Sequence, residues 1–449
     1  MLRGLRYVLP KALLLLLLVK GQGAEETARV PQVVAAWAAG PFETRIALDL
    51  PVGMDVARSL VGQKIAFDEA RPVLSQKTND CLDPRETRGA LRVAAARLEE
   101  EGRMLVLTTD PHPRAAVYSL ILPAQVQHAQ PVEYDLTGVE VSYHSADLKA
   151  PPLWSGWWPG VHTAYVGKSL ARSAEHARGL ALINKPGRLL LNTLVKLPPG
   201  KWKFTVAANA PVEATLGGED PSARVSMRDG DLTLTNLPQF QTESTGEPTL
   251  LSLDITTGKA DPLAIQLWYE AETSPAGPRI AVVSDQLLVP WTPSAPPAPK
   301  PLENVPDLAG GDPLKGAVVF AGAEAKCANC HRVRGQGGIV GPDLSDQVGR
   351  DPKSVYRAIY EPSARIHPDY VPYTLALKDG RVLVGTVRAE GADALKVTDT
   401  EAKVSTVPRD QLDEFRPSAT SIMPVGLAGV IGERNLRDLI AYLTTPAPK

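Results

Sequence analysis

The chain has 449 residues, with 48 basic side chains against 50 acidic ones and a formal net charge of −2. That length suits several domains rather than one, and the even charge balance excludes the basic surface that holds nucleic acid. Three cysteines are too few for a disulfide framework.

At the N-terminus, Arg3, Arg6 and Lys11 precede an apolar run from Ala12 to Val19 and then small residues up to Ala24. This is the layout of a signal peptide over 1–24, which implies export to the periplasm or cell envelope. The run is too short to span a bilayer, so no transmembrane helix is expected.

Over 30–150, short alternating runs (42–50, 102–110, 116–123, 132–143) predict the strands of a β-sandwich, immunoglobulin-like in the broad sense. The stretch 90–100 reads equally well as a short helix or as a strand with Leu91, Val93 and Ala95 on one face. In Thr109–Arg114, the prolines on either side of His112 predict a turn. Cys81 has no intrachain partner and reads as a buried or free thiol.

A second β-rich domain is expected over 151–290, with strands at 188–198, 201–209, 231–237, 263–270 and 279–290. It opens on Trp154, Trp157 and Trp158. Clustered indoles more often fill cores and junctions, and the sharper alternative is a stacking platform for carbohydrate. His162 and His176 have no neighbours at metal-ligand spacing. Seven prolines in residues 290–306 favour extended backbone, so 291–309 reads as a semi-rigid linker.

Beyond it, Asp312-Pro313 forms a helix start, the carboxylate capping free N–H groups and proline taking the first turn. Gly316 and Phe320 share a face of that helix. At the far end Leu436, Leu439, Ile440 and Leu443 form one stripe, and the two helices are expected to cross at the gap left by Gly316. Between them lies Cys327-Ala328-Asn329-Cys330-His331. Two thiols and an imidazole at this spacing form the attachment site of a c-type haem: the thiols add to the vinyl groups as thioethers and the histidine reaches the iron. A zinc site would need four ligands, and Cys81 is far upstream. A thioredoxin-like pair would need a βαβ context, whereas a helix precedes Cys327.

Downstream, a carbonyl near Pro342 is a candidate acceptor for the Nδ1–H of His331, fixing its ring; the plain alternative is a Gly-Pro turn. Met423 is the only methionine after Met227 and the candidate sixth ligand, a soft neutral donor that stabilises ferrous iron. His367 is the rival donor. Arg332, Arg334 and Arg350 are candidates to offset the propionates, with Arg350 preferred. The long interval between His331 and Met423 holds an insertion, 373–416, with Asp379-Gly380 as a hairpin turn in a small meander or SH3-like barrel. Its role is either a cover over the haem edge or a docking surface for a redox partner.

The helix with Gly316 and Phe320, the CxxCH segment, GPDL, the methionine loop and the ending DLIAYL together resemble a class I cytochrome c. The order CANCH, GPDLS, IYEPSARIHPDYVPY, LKDGRVLVGTV, SIMPVGL and LRDLIAYL more closely resembles the haem-binding domain of large exported proteins of Planctomycetes and related bacteria. The resemblance covers about 310–445 and implies the fold, one covalently attached haem c and electron transfer, without naming a partner.

The expectation is therefore a multidomain chain: two all-β sandwich-like domains, then a mainly α cytochrome c domain over 310–445 carrying a small β insertion. It would be a periplasmic mono-haem electron carrier for a dehydrogenase or respiratory partner, not an enzyme. Histidine and methionine together leave the iron no open position. Without Met423 the reading becomes a haem peroxidase or gas sensor; if the β domains dominate, it becomes a carbohydrate-binding envelope protein with an accessory haem domain. No GxSxG elbow, HExxH helix or phosphate loop is present.

Overall fold

The computed structural model describes residues 29–69, 88–126, 130–145, 147–170, 172–217, 224–227, 239–258, 262–273, 277–294, 302–303 and 305–446. The expected signal peptide, Cys81, the strand expected at 231–237 and part of the proline-rich linker lie outside these residues. What is described is mostly β, with a helical unit gathered at the C-terminal end.

Strands from Val33–Gly40 to Pro131–Tyr134 make one antiparallel seven-stranded sheet. Its corner is Arg88–Glu99, so the ambiguous 90–100 stretch is a strand. The first half of this strand pairs with Lys64–Glu69 and the second half with Met104–Thr109, with a register shift between Val93 and Ala95. An irregularity of this kind bends a strand and lets one sheet form two layers. The layers enclose Ile46, Ile65, Leu91, Val93, Leu105, Leu107 and Tyr118. Thr44 and Tyr134, near opposite ends of the strand order, come within 2.8 Å through their hydroxyls.

The next strand, Val139–His144, already belongs to another sheet, pairing with Gly187–Val195 and Trp154–Trp158. The run 132–143 is thus divided between two sheets, and the expected boundary at 150 falls inside the second one. The break is local: Asp135 Oδ1 accepts from the Thr137 backbone N–H at 2.8 Å and from its hydroxyl at 2.6 Å, and Gly138 follows at φ 131°. A side chain that satisfies the backbone two residues on makes a turn and ends the strand. A four-stranded sheet containing Gly200–Ala208 and Ile265–Ala271 supplies Phe204, Val206 and Leu267 to a core shared with Leu189, Leu191 and Ile255.

The tryptophan platform is not formed. Trp154 and Trp158 are 4% and 0% exposed, within this core, and Trp157 stacks on Trp37 of the first sheet with centroids 5.6 Å apart. His176 uses both ring nitrogens, one with the Ser173 hydroxyl (2.7 Å) and one with the Trp157 carbonyl (2.8 Å).

The C-terminal unit begins with the helix Pro313–Ala321, capped by Asp312 Oδ1, which accepts from the N–H of Leu314 at 2.9 Å and of Lys315 at 3.4 Å. It crosses the last helix, Glu433–Thr444, at Gly316: a Cβ there would stand 2.0 Å from the Asp438 carbonyl oxygen. Phe320 meets Tyr442 one turn on, with ring centroids 5.8 Å apart. The insertion is a five-stranded antiparallel sheet, Pro372–Leu377 to Leu412–Pro417, whose last strand returns to pair with the first. Among the described residues no helix is long and apolar enough to cross a membrane.

Candidate functional site

The CxxCH segment is a single turn of helix, Cys327–Cys330, entered through Lys326 in the left-handed region (φ 52°) and left through His331 in extended conformation. One turn brings the two thiols to the same side, and the extended exit swings the imidazole away from the helix axis. The chain then wraps back over the motif. Gly338 N–H donates to the Ala328 carbonyl (2.8 Å), Gly341 N–H to that of Cys330 (2.9 Å) and Leu344 N–H to that of Arg332 (2.8 Å). Such close return needs missing side chains: a Cβ on Gly337 would lie 2.1 Å from the His331 carbonyl oxygen, and one on Gly338 would lie 2.0 Å from that of Asn329.

His331 Nδ1 lies 2.9 Å from the Pro342 carbonyl oxygen. A carbonyl only accepts, so Nδ1 carries the proton and Nε2 keeps its lone pair, the state in which imidazole binds a metal. Gly341 lies against the same ring, its missing Cβ corresponding to a point 2.6 Å from Cε1. Burial draws His331 below the usual imidazole range, against the pull of the Pro342 carbonyl, and pushes the thiols of Cys327 and Cys330 up.

His367 has the opposite polarity. Its Nδ1 accepts the backbone N–H of Asp369 at 3.2 Å, which places the ring proton of a neutral imidazole on Nε2 and works against ligation there. Met423 packs, partly buried, against the apolar cluster of Phe320, Leu436, Leu439 and Ile440, which Cys327, Ala328 and Leu344 also line. The thioether and the attachment motif therefore pack against one apolar cluster. A half-buried imidazole whose Nε2 keeps its lone pair, two thiols on one turn and a thioether on the same cluster are a donor set that fits a covalently held haem.

The arginines divide differently. Arg334 is committed to the end of the last helix, donating to the Thr445 carbonyl at 2.9 Å with its guanidinium 4.9 Å from the Tyr442 ring centroid. Arg350 donates to Gln347 Oε1 (2.6 Å) and Ser354 Oγ (3.0 Å), bracing the start of the helix Pro352–Tyr360. Arg332 pairs in the short strand next to the motif, and its Nε is buried without a hydrogen-bond partner among the described residues. Gly341 is the site residue that motif reading passed over; the signal for it was a glycine immediately before the carbonyl-bearing proline.

Residues 314–381 match the family model of Cytochrome c. The C-terminal part of the chain thus carries a cytochrome c-like domain, a match that implies covalently bound haem c and suggests a haem-binding electron carrier. The match ends before Met423. No curated protein matches the chain. Among solved structures, an anti-sigma factor domain-containing protein is 10% identical over 55% of this chain and 84% of its own, with a TM-score of 0.25. The PA14 domain of the antifreeze protein MpAFP is 17% identical over 36% and 77%, with a TM-score of 0.22. The Epithelial Adhesin 6 A domain from Candida glabrata, in complex with Galb1-3GlcNAc, is 12% identical over 50% and 85%, with a TM-score of 0.20. These likenesses carry no functional weight.

Proposed function

We propose that the protein is an exported, periplasmic mono-haem c-type cytochrome that passes single electrons to or from a dehydrogenase or respiratory partner. The haem, when bound, supplies a one-electron iron couple. Cys327 and Cys330 would tether it, His331 and Met423 would supply the protein donors to its iron, and the Pro342 carbonyl holds the histidine ring in its metal-binding tautomer. Phe320, Leu439 and Ile440 form the apolar cluster against which Met423 and Cys327 pack, and an apolar surround favours the less charged, reduced state. Ile339 and Val425, on the loops that follow the two donors, are 75% and 74% exposed and offer an apolar rim to a redox partner. The signal-peptide layout of 1–24 supports export.

The observation that carries the reading is the 2.9 Å contact from His331 Nδ1 to the Pro342 carbonyl beside the two thiols. The test is mass spectrometry and optical spectroscopy of the exported full chain made in a host competent for cytochrome maturation. One covalent haem, c-type bands on reduction and a near-infrared sulfur-to-iron band in the oxidised protein are expected. A product with the mass of the bare polypeptide overturns the reading. Immediate stoichiometric carbon monoxide binding to the reduced protein removes Met423 from it and points to a peroxidase or gas sensor.

A further inference from the structure

The turn Thr109–Arg114 is buried although it joins strands: Asp110 and His112 are each 2% exposed, and Arg114 9%. His112 is covered within its own domain, by Tyr118, Tyr134 and Trp291, whereas Asp110 and Arg114 meet the haem domain and its β insertion. Asp110 Oδ1 accepts the Ala389 N–H at 2.8 Å, and Oδ2 lies 3.6 Å from Arg388 Nη1. In return Asp369 Oδ1 accepts the Ala90 N–H at 2.9 Å, Arg92 donates to the Ala389 carbonyl, and Arg114 donates to that of Ile366 at 3.2 Å. Beside these polar contacts, Phe42 of the first sheet sits in the insertion's own core with Tyr373, Leu375 and Val407. Its ring centroid lies 4.6 Å from that of Phe415. Sliding these surfaces while they stay in contact would leave a buried carboxylate without the Ala389 N–H and Arg388, so the two surfaces hold one register.

The same insertion carries the methionine loop. Its last strand, Leu412–Pro417, holds Phe415 and runs directly into residues 418–426. That loop is anchored by Ser418 N–H on the Pro372 carbonyl (2.8 Å) and by Ser421 N–H on Ser363 Oγ (3.0 Å). Ser421 Oγ in turn accepts the Met423 N–H at 3.1 Å. Ser363 and Pro372 flank residues 366–369, the stretch that Arg114 and the Ala90 N–H pin to the first domain. Both anchors therefore lie next to a segment whose position the first β domain fixes.

We propose that Asp110, with Phe42 beside it, is a positioning residue for Met423: the first β domain, acting through the insertion, holds the sixth donor and thereby sets the haem potential. The inference rests on the reading of Met423 as a ligand. It gives the insertion a use within the chain, as the arm joining the domains.

The test uses the full-chain holoprotein and three readouts: the sulfur-to-iron band, the reduction potential, and the rate of carbon monoxide binding to the reduced protein. Asp110→Asn and Arg388→Met weaken the band, lower the potential and speed carbon monoxide binding about tenfold, within the range expected of substitutions along a coupled network. Arg388→Lys restores most of the wild-type behaviour. Arg381→Met, at the hairpin where Arg381 pairs only locally with Asp379, leaves all three readouts unchanged. Should Asp110→Asn fail to fold, Arg388→Met carries the test, since that side chain is 41% exposed. An unchanged band and rate in Arg388→Met, whether or not hydrogen exchange at 366–389 accelerates, overturns the proposal. A wild-type protein without the band refutes Met423 ligation instead, so the two failures are distinguishable.

Discussion

Gly341→Ala isolates the support behind His331. Gly341 is not among the glycines with positive φ, so alanine fits its backbone and only the contact changes. The added methyl would stand 2.6 Å from His331 Cε1, 2.9 Å from Nδ1 and 3.1 Å from Nε2. Carbon atoms rest about 3.5 Å or more apart, so the ring must retreat by roughly 0.9 Å. The 2.9 Å bond to the Pro342 carbonyl is then stretched beyond about 3.6 Å, where it no longer counts as a hydrogen bond. Overpacking costs about 1–3 kcal/mol and the lost bond about 1 kcal/mol, together about 2–4 kcal/mol. Urea unfolding of the holoprotein, followed at the haem absorbance beside the wild type, measures this, and the reduction potential is read on the same samples. A loss under about 0.5 kcal/mol, the size of a neutral surface change, with an unmoved potential would show that Gly341 does not set the ring's position.

Stability should also fall with acid through His112, whose pKa burial depresses to about 4. Burial holds the ring neutral, against the pull of the Pro41 carbonyl at Nδ1, with the Tyr134 hydroxyl at Nε2, whereas the unfolded chain takes up a proton near the ordinary value of about 6.5. Its stabilisation is therefore full above about pH 6.5, falls by about 3 kcal/mol towards pH 4 and levels below. His112→Gln should flatten that limb in denaturant melts followed by tryptophan fluorescence, and parallel curves for the two proteins would refute the assignment. At the helix crossing, Gly316→Ala puts a methyl 2.0 Å from the backbone oxygen of Asp438, which cannot rotate away. The helices must part, at about 1–3 kcal/mol, and an unfolding midpoint equal to the wild type would mean that they do not cross there as described.

What could be read from the sequence was local. The attachment motif, the Asp312 cap, the Gly316 gap and the Asp379-Gly380 hairpin each depend on residues within a few positions or on one repeated contact. The Asx turn at Asp135 is also local, but it lies inside a run of alternating residues that reads as continuous strand. The role of Asp110 could not be read at all: its partner Ala389 is 279 positions away, and a carboxylate in a Pro-rich turn looks the same whether it meets water or another domain. The tryptophans read first as core or junction packing, which is where they lie, but their particular cover was not legible, since Trp37, which stacks on Trp157, lies far upstream.

The two candidate donors therefore reach the haem site on different terms. His331 is placed by the stretch 327–344, through hydrogen bonds that begin and end within it, so its geometry should survive any change that leaves those residues intact. Met423 hangs from a loop whose anchors sit beside the junction with the first β domain. A strain at that junction has a route to the methionine and none of similar directness to the histidine. On the proposed ligation, Met423 is the donor through which the rest of the chain would tune the potential, and His331 the one that would keep the haem fixed.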